Sequence, residues 1–193
     1  MKKLPLMILG ILIAAQFAVP FSMIRSRENI LRNGELFRFK TRPIDPVDPF
    51  QGRYVRLGFE NAYVPCSRQV KKKLQLAKSS VYALLETDAE GFAYFSSTEI
   101  EKPNKGDYLK TMYIGHRPSW NDKTKTLELE IKIDIPFDHF YMDEAKAPRA
   151  ERLVRDSTRS TNCWAAVRIL DGKAVIEDVF AEGQSLRDLA AGD

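Results

Sequence analysis

Cysteine and histidine are scarce in this chain, with two of each among 193 residues. That scarcity excludes a zinc site built from four cysteines and a disulfide-dense scaffold. His116 and His139 are the whole imidazole supply. His139 lies in FDHFYMDE beside Asp138, Asp143 and Glu144, but neighbouring strand positions point to opposite faces, so these ligands do not converge. No metal and no other cofactor is expected. No Gly-rich phosphate loop and no zinc-helix motif occurs. Basic residues are not gathered on one face: the net charge of +4 includes Lys2 and Lys3, and later cations alternate with acids. Nucleic acid is therefore not an expected partner, and Lys71-Lys72-Lys73 reads as the solvated face of a short helix.

What the chain does have is one long stretch without charge. Residues 4–24, LPLMILGILIAAQFAVPFSMI, follow MKK and carry no formal charge. As a helix this stretch spans roughly 30 Å, the thickness of a hydrocarbon core. It offers no good small-x-small cleavage site, which favours an uncleaved signal-anchor in the lipid bilayer. Positive charge flanks both ends, Lys2 and Lys3 before, Arg25, Arg27 and Arg32 after. The export-signal form of the start places the main domain extracytoplasmic, on a bacterial cytoplasmic membrane. The expected organisation is an anchor over 1–24, a juxtamembrane linker over 25–34, a domain over 35–182 and a tail over 183–193.

The remainder reads as α+β, β-rich and mostly antiparallel, with two short helices. ELFRFKT and RYVRLGFE read as strands, separated by a loop in which Pro43, Pro46 and Pro49 deny helix and central strand. SRQVKKKLQLAKSS (67–80) and PRAERLVRDS (148–157) have helical spacing. SVYALLETDAEGFAYFSSTEI reads as a hairpin turning at Asp88 to Gly91. RPSWNDKTK (117–125) reads as a polar turn. TLELEIKIDIPF alternates strictly, as a strand with one dry and one wet face must. CWAAVRIL-DG-KAVIEDVF is a hairpin signalled by Asp171-Gly172. Residues 185–193 read as a frayed tail or short helix.

Cys66 and Cys163 are a potential disulfide pair or two separate small apolar residues. Paired carboxylates such as Glu128 and Glu130 fall on a wet strand face. Ser22-Met23 at the end of the apolar stretch resembles the start of a Ser–Lys peptidase motif, without the following proline or an evident base-bearing lysine.

A short box occurs twice. GRYVRLGF (52–59) and GDYLKTMY (106–113) share Gly-x-Tyr, an aliphatic, a cation and a final aromatic. The box resembles that of the bacterial GDYXXLXY proteins. Gly52, Tyr54 and Leu57 match in the first copy, with Arg53 in place of Asp and Phe59 in place of Tyr. The second copy keeps Gly106, Asp107, Tyr108 and Tyr113, with Thr111 in place of Leu. In the later segment Phe140, Tyr141 and Glu144 occupy the family's aromatic and acidic places. The resemblance implies a membrane-anchored domain of uncharacterised activity whose partner is a polytopic membrane protein. Arg53 argues against proton transfer at that position, because an obligate cation cannot replace a carboxylate in such a role. The box thus reads as two strands with one packing solution. The expected function is binding or scaffolding rather than catalysis; a serine-type envelope hydrolase and a soluble-ligand sensor are the alternatives.

Overall fold

The computed structural model describes residues 3–42, 54–59, 62–66, 80–121, 126–141 and 163–191. The chain starts with α1, Lys3–Asn33, a single helix that runs through Pro20. Met7–Asn33 is long and apolar enough to cross a membrane, and its most apolar window is wholly exposed. The helix stops at Gly34, whose N–H donates to the Ile30 carbonyl at 2.8 Å. A Cβ on Gly34 would stand 2.5 Å from that oxygen and 3.1 Å from the Ile169 carbonyl oxygen. Only glycine lets the helix end turn this tightly against the sheet.

The strands are β1 (Glu35–Arg42), β2 (Tyr54–Arg56), β3 (Gly58–Phe59), β4 (Tyr63–Pro65), β5 (Ser80–Thr87) and β6 (Ala93–Glu99). They continue as β7 (Tyr108–Asn121), β8 (Thr126–Ile133), β9 (His139–Tyr141), β10 (Cys163–Leu170), β11 (Lys173–Ala181) and β12 (Gln184–Ser185), before a last short helix α2 (Leu186–Ala191). They form two five-stranded sheets, β12-β11-β10-β1-β3 and β4-β8-β7-β5-β6, and a two-stranded ribbon β2-β9. Every strand pairing is antiparallel. The expected antiparallel, β-rich α+β chain is what folds. Both segments read as helices, 67–80 and 148–157, lie outside the described residues but for Ser80, which opens β5.

Alternation decides which side chains meet between the sheets. From the first sheet come Phe37, Phe39, Phe59, Ala165, Val167 and Ile169; from the second, Val64, Val81, Ala83, Phe95, Leu109, Ile131 and Ile133. The rings of Phe39, Phe59, Phe95 and Phe137 join the two layers, with Phe39 5.7 Å from Phe95 and 5.3 Å from Phe137 between centroids. The Asp171-Gly172 turn has φ of 48° and 75°, the left-handed pair that a two-residue hairpin needs.

Two expectations change. RYVRLGFE is not one strand: β2 pairs with β9 and β3 with β1. Between them the Leu57 N–H donates to the Asp138 carbonyl at 2.8 Å, so the chain crosses from one pairing to the other there. Secondly, RPSWN is no turn; β7 runs on to Asn121 with Pro118 opposite Leu129. Beyond Met112 it no longer has β5 as a neighbour, and a strand with an open edge tolerates proline. The tail takes the second of its two expected forms, the short helix α2. Leu186 is fully buried, and the Ser185 hydroxyl accepts the Asp188 N–H at 3.1 Å as a helix cap.

Candidate functional site

The two copies of the repeated box fall in different sheets. In the first, Leu57 and Phe59 are core residues, Tyr54 stands opposite Tyr141 in the ribbon, and Gly52 lies outside the described residues. In the second, Gly106 takes φ of +85° with open space around it. It turns the chain into β7, and the Asp107 carbonyl accepts the Leu85 N–H at 2.9 Å. The Asp107 side chain is exposed. Tyr108 is buried against the β10–β11 turn; its hydroxyl makes no hydrogen bond of ordinary geometry among the described residues, but it stands close enough to the Lys102 ammonium to hold that group's pKa above its ordinary value. Tyr113 packs on the core and its hydroxyl meets His116 Nδ1 at 2.7 Å. Among the described residues neither copy gathers a nucleophile, a base and an acid.

Cys163 lies within the core and Cys66 packs at its margin. Ser22 is exposed on α1, donating its hydroxyl proton to the Val19 carbonyl at 2.7 Å. Among the described residues no three His, Cys, Asp or Glu side chains form a metal-binding group.

Phe140 and Tyr141, by contrast, belong to a groove. It has a volume of about 540 Å³ and lies where α1 meets the sheets. Met23, Ser26, Arg27 and Ile30 form one wall; their spacing places all four on one helix face. Pro136, Phe137, His139, Phe140 and Tyr141 form the second wall. Lys173 to Ile176 of β11, with Arg187 of α2, form the third. Phe137 and Phe140 are buried while Tyr141 is 71% exposed, so the floor is apolar and the mouth wet. The His139 ring stacks on Tyr141 with centroids 6.3 Å apart, and its Nδ1 is hydrogen-bonded to the Asp138 carboxylate.

The lining of this groove combines cations with apolar side chains. Arg27, Lys173 and Arg187 line it, and no carboxylate does among the described residues. Of the acids beside the lining, Asp138 lies on His139 Nδ1, and Asp178 accepts the N–H groups of Val179 and Arg187 and the Ser185 hydroxyl. Such a lining suits an amphiphile with an anionic end. The sequence pointed to Phe140 and Tyr141 here but not to the three cations. They arrive from α1, from the residue after a hairpin turn and from α2, and no spacing pattern links such distant positions. Glu144 lies outside the described residues.

A family model described as GDYXXLXY protein matches residues 16–179. No curated protein and no solved structure matches the chain.

Proposed function

The chain belongs to the GDYXXLXY family, and from that premise we propose that it is a membrane-anchored, extracytoplasmic domain that binds or scaffolds a polytopic membrane protein. The observation that carries this reading is the rigid joint at the end of α1. The helix that is apolar enough to span a bilayer continues unbroken to Asn33, Ile30 is buried against the domain, and β1 starts at Glu35. No flexible tether intervenes, so the sheets are held at one height and one orientation above the lipid. A domain held so presents the same face to any neighbour confined to the same plane, where the local concentration of both is high.

The far end of β7 supplies a suitable contact. Met112, Ile114 and Trp120 are each more than half exposed, and large exposed apolar side chains grouped on one strand mark interaction surfaces. Affinity purification of the full-length chain in mild detergent, with mass spectrometry of what is retained, tests the reading. A polytopic protein in near-stoichiometric amount, lost on Trp120→Ser, is the expected result. Recovery of the chain alone would remove the partner from the reading.

A further inference from the structure

The groove beside α1 sits at a particular height. The uncharged run ends at Ile24 and the first cation is Arg25. From Arg25 to Ile30 a helix rises about 7.5 Å, and the headgroup layer on each side of a bilayer is about 5–8 Å thick. A groove walled by Met23, Ser26, Arg27 and Ile30 therefore opens at headgroup level when the apolar run spans the hydrocarbon. Its cations are uncommitted: among the described residues Arg27, Lys173 and Arg187 form no ion pair. Met23, Phe140 and Ile176 add apolar surface to the same groove, and Met23 lies within the uncharged run, on the side from which a lipid tail would come.

We propose that this groove holds one anionic phospholipid of the surrounding leaflet. The phosphodiester is bound by Arg27, Lys173 and Arg187, and the first part of an acyl chain lies against Met23, Phe140 and Ile176. Guanidinium groups match phosphate oxygens in geometry as well as charge, and cations beside a membrane are attracted to anionic lipid. The three cations come from elements that only the folded domain brings together, so the bound lipid would fix the angle between α1 and the sheets. This goes beyond partner binding, and it rests on the reading of α1 as the anchor.

The test uses the full chain. Protein in a neutral detergent is mixed with phosphatidylglycerol or phosphatidylcholine and its mass measured under native conditions. One phosphatidylglycerol retained per chain, in preference to phosphatidylcholine, is expected. The combined Arg27→Gln, Lys173→Gln, Arg187→Gln variant should lower retention at least about tenfold, the loss of a charge-assisted contact or more, whereas Arg117→Gln on the other sheet should leave it unchanged. Equal retention of both lipids, or undiminished retention by the triple variant, overturns the proposal. So does displacement by millimolar inorganic phosphate, which would mark a free-anion site. Alkaline extraction of the chain from vesicles separates the two readings. Release into the wash sinks the anchor and this proposal together; retention in the vesicles without a bound lipid sinks this proposal alone.

Discussion

The ring of Tyr108 lies against Gly172 so closely that a Cβ built on the glycine would stand 2.7 Å from Tyr108 Cε2. This contact fastens one sheet to the other. The Gly172 carbonyl accepts the Lys110 N–H at 2.9 Å, and Leu109 forms a parallel bridge to Gly172. The Lys102 ammonium completes the corner, 3.7 Å from the Asp171 carboxylate and 5.7 Å over the Tyr108 ring. The tyrosine of the second box thus packs on the hairpin turn of the opposite sheet.

Gly172→Ala should therefore cost more than the same change at Gly106. Both glycines have positive φ, but at Gly172 the new methyl also meets Tyr108 and the Lys110 backbone nitrogen at 3.1 Å, while Gly106 has open space. Backbone strain alone is about 1 kcal/mol; strain with the clash should reach about 2–4 kcal/mol. Urea unfolding of the two variants measures the difference, and equal losses would show that the contact with Tyr108 contributes nothing.

Tyr108→Phe should change stability by no more than about 1 kcal/mol, since the buried hydroxyl makes no hydrogen bond of ordinary geometry among the described residues and the Lys102 ammonium beside it is largely exposed. The ring, and with it the contact to Gly172, is retained. A marked loss of stability in thermal unfolding would show that the hydroxyl has a partner in the folded protein.

Tyr94 gives a pH-dependent test. Its hydroxyl donates to Glu86 Oε2 at 2.9 Å. That hydrogen bond, then desolvation and the negative charges of Glu86 and Asp88, hold its pKa above the ordinary value of 10.0. The folded state keeps this proton longer than the unfolded state. Its contribution to stability is accordingly full below pH 10.0 and is lost as pH rises through the folded pKa. Ultraviolet titration should show one late-ionising tyrosine that shifts toward the ordinary value in Glu86→Gln and is missing in Tyr94→Phe. A Glu86→Gln curve superimposable on the parent would refute the coupling.

Much of this architecture was legible because its signals are local. Period-two alternation marked β1, β5, β6, β8, β10 and β11, and Asp171-Gly172 marked its hairpin. The crossing at Leu57 was not legible, since its cause is a backbone bond to Asp138, far along the chain. RPSWN misled for a related reason: its polar composition suits a turn, and only tertiary pairing reveals that β7 runs on there against β8, with no second neighbour among the described residues. In the groove, Phe140 and Tyr141 were marked by the resemblance to the family's later segment, whereas Arg27, Lys173 and Arg187 look like any exposed cations until the fold places them together.

The rigid joint itself makes the last prediction. Ile30 is 5% exposed on a helix whose preceding apolar residues are exposed, so the contact between α1 and the domain rests on few side chains. Ile30→Ala removes its buried methyls and leaves a cavity at the joint, at a cost of about 2–4 kcal/mol. The sheets keep their own core, and far-ultraviolet circular dichroism of the full chain in detergent should hardly change. What should change is the joint: amide exchange at Arg32, Asn33 and Glu35 should accelerate at least about tenfold as local opening becomes easier. Exchange that accelerates evenly across both sheets would instead show that Ile30 supports the whole core. Unaltered exchange would mean that α1 is held to the domain elsewhere, with the Gly34 turn against Ile169 as the remaining clamp.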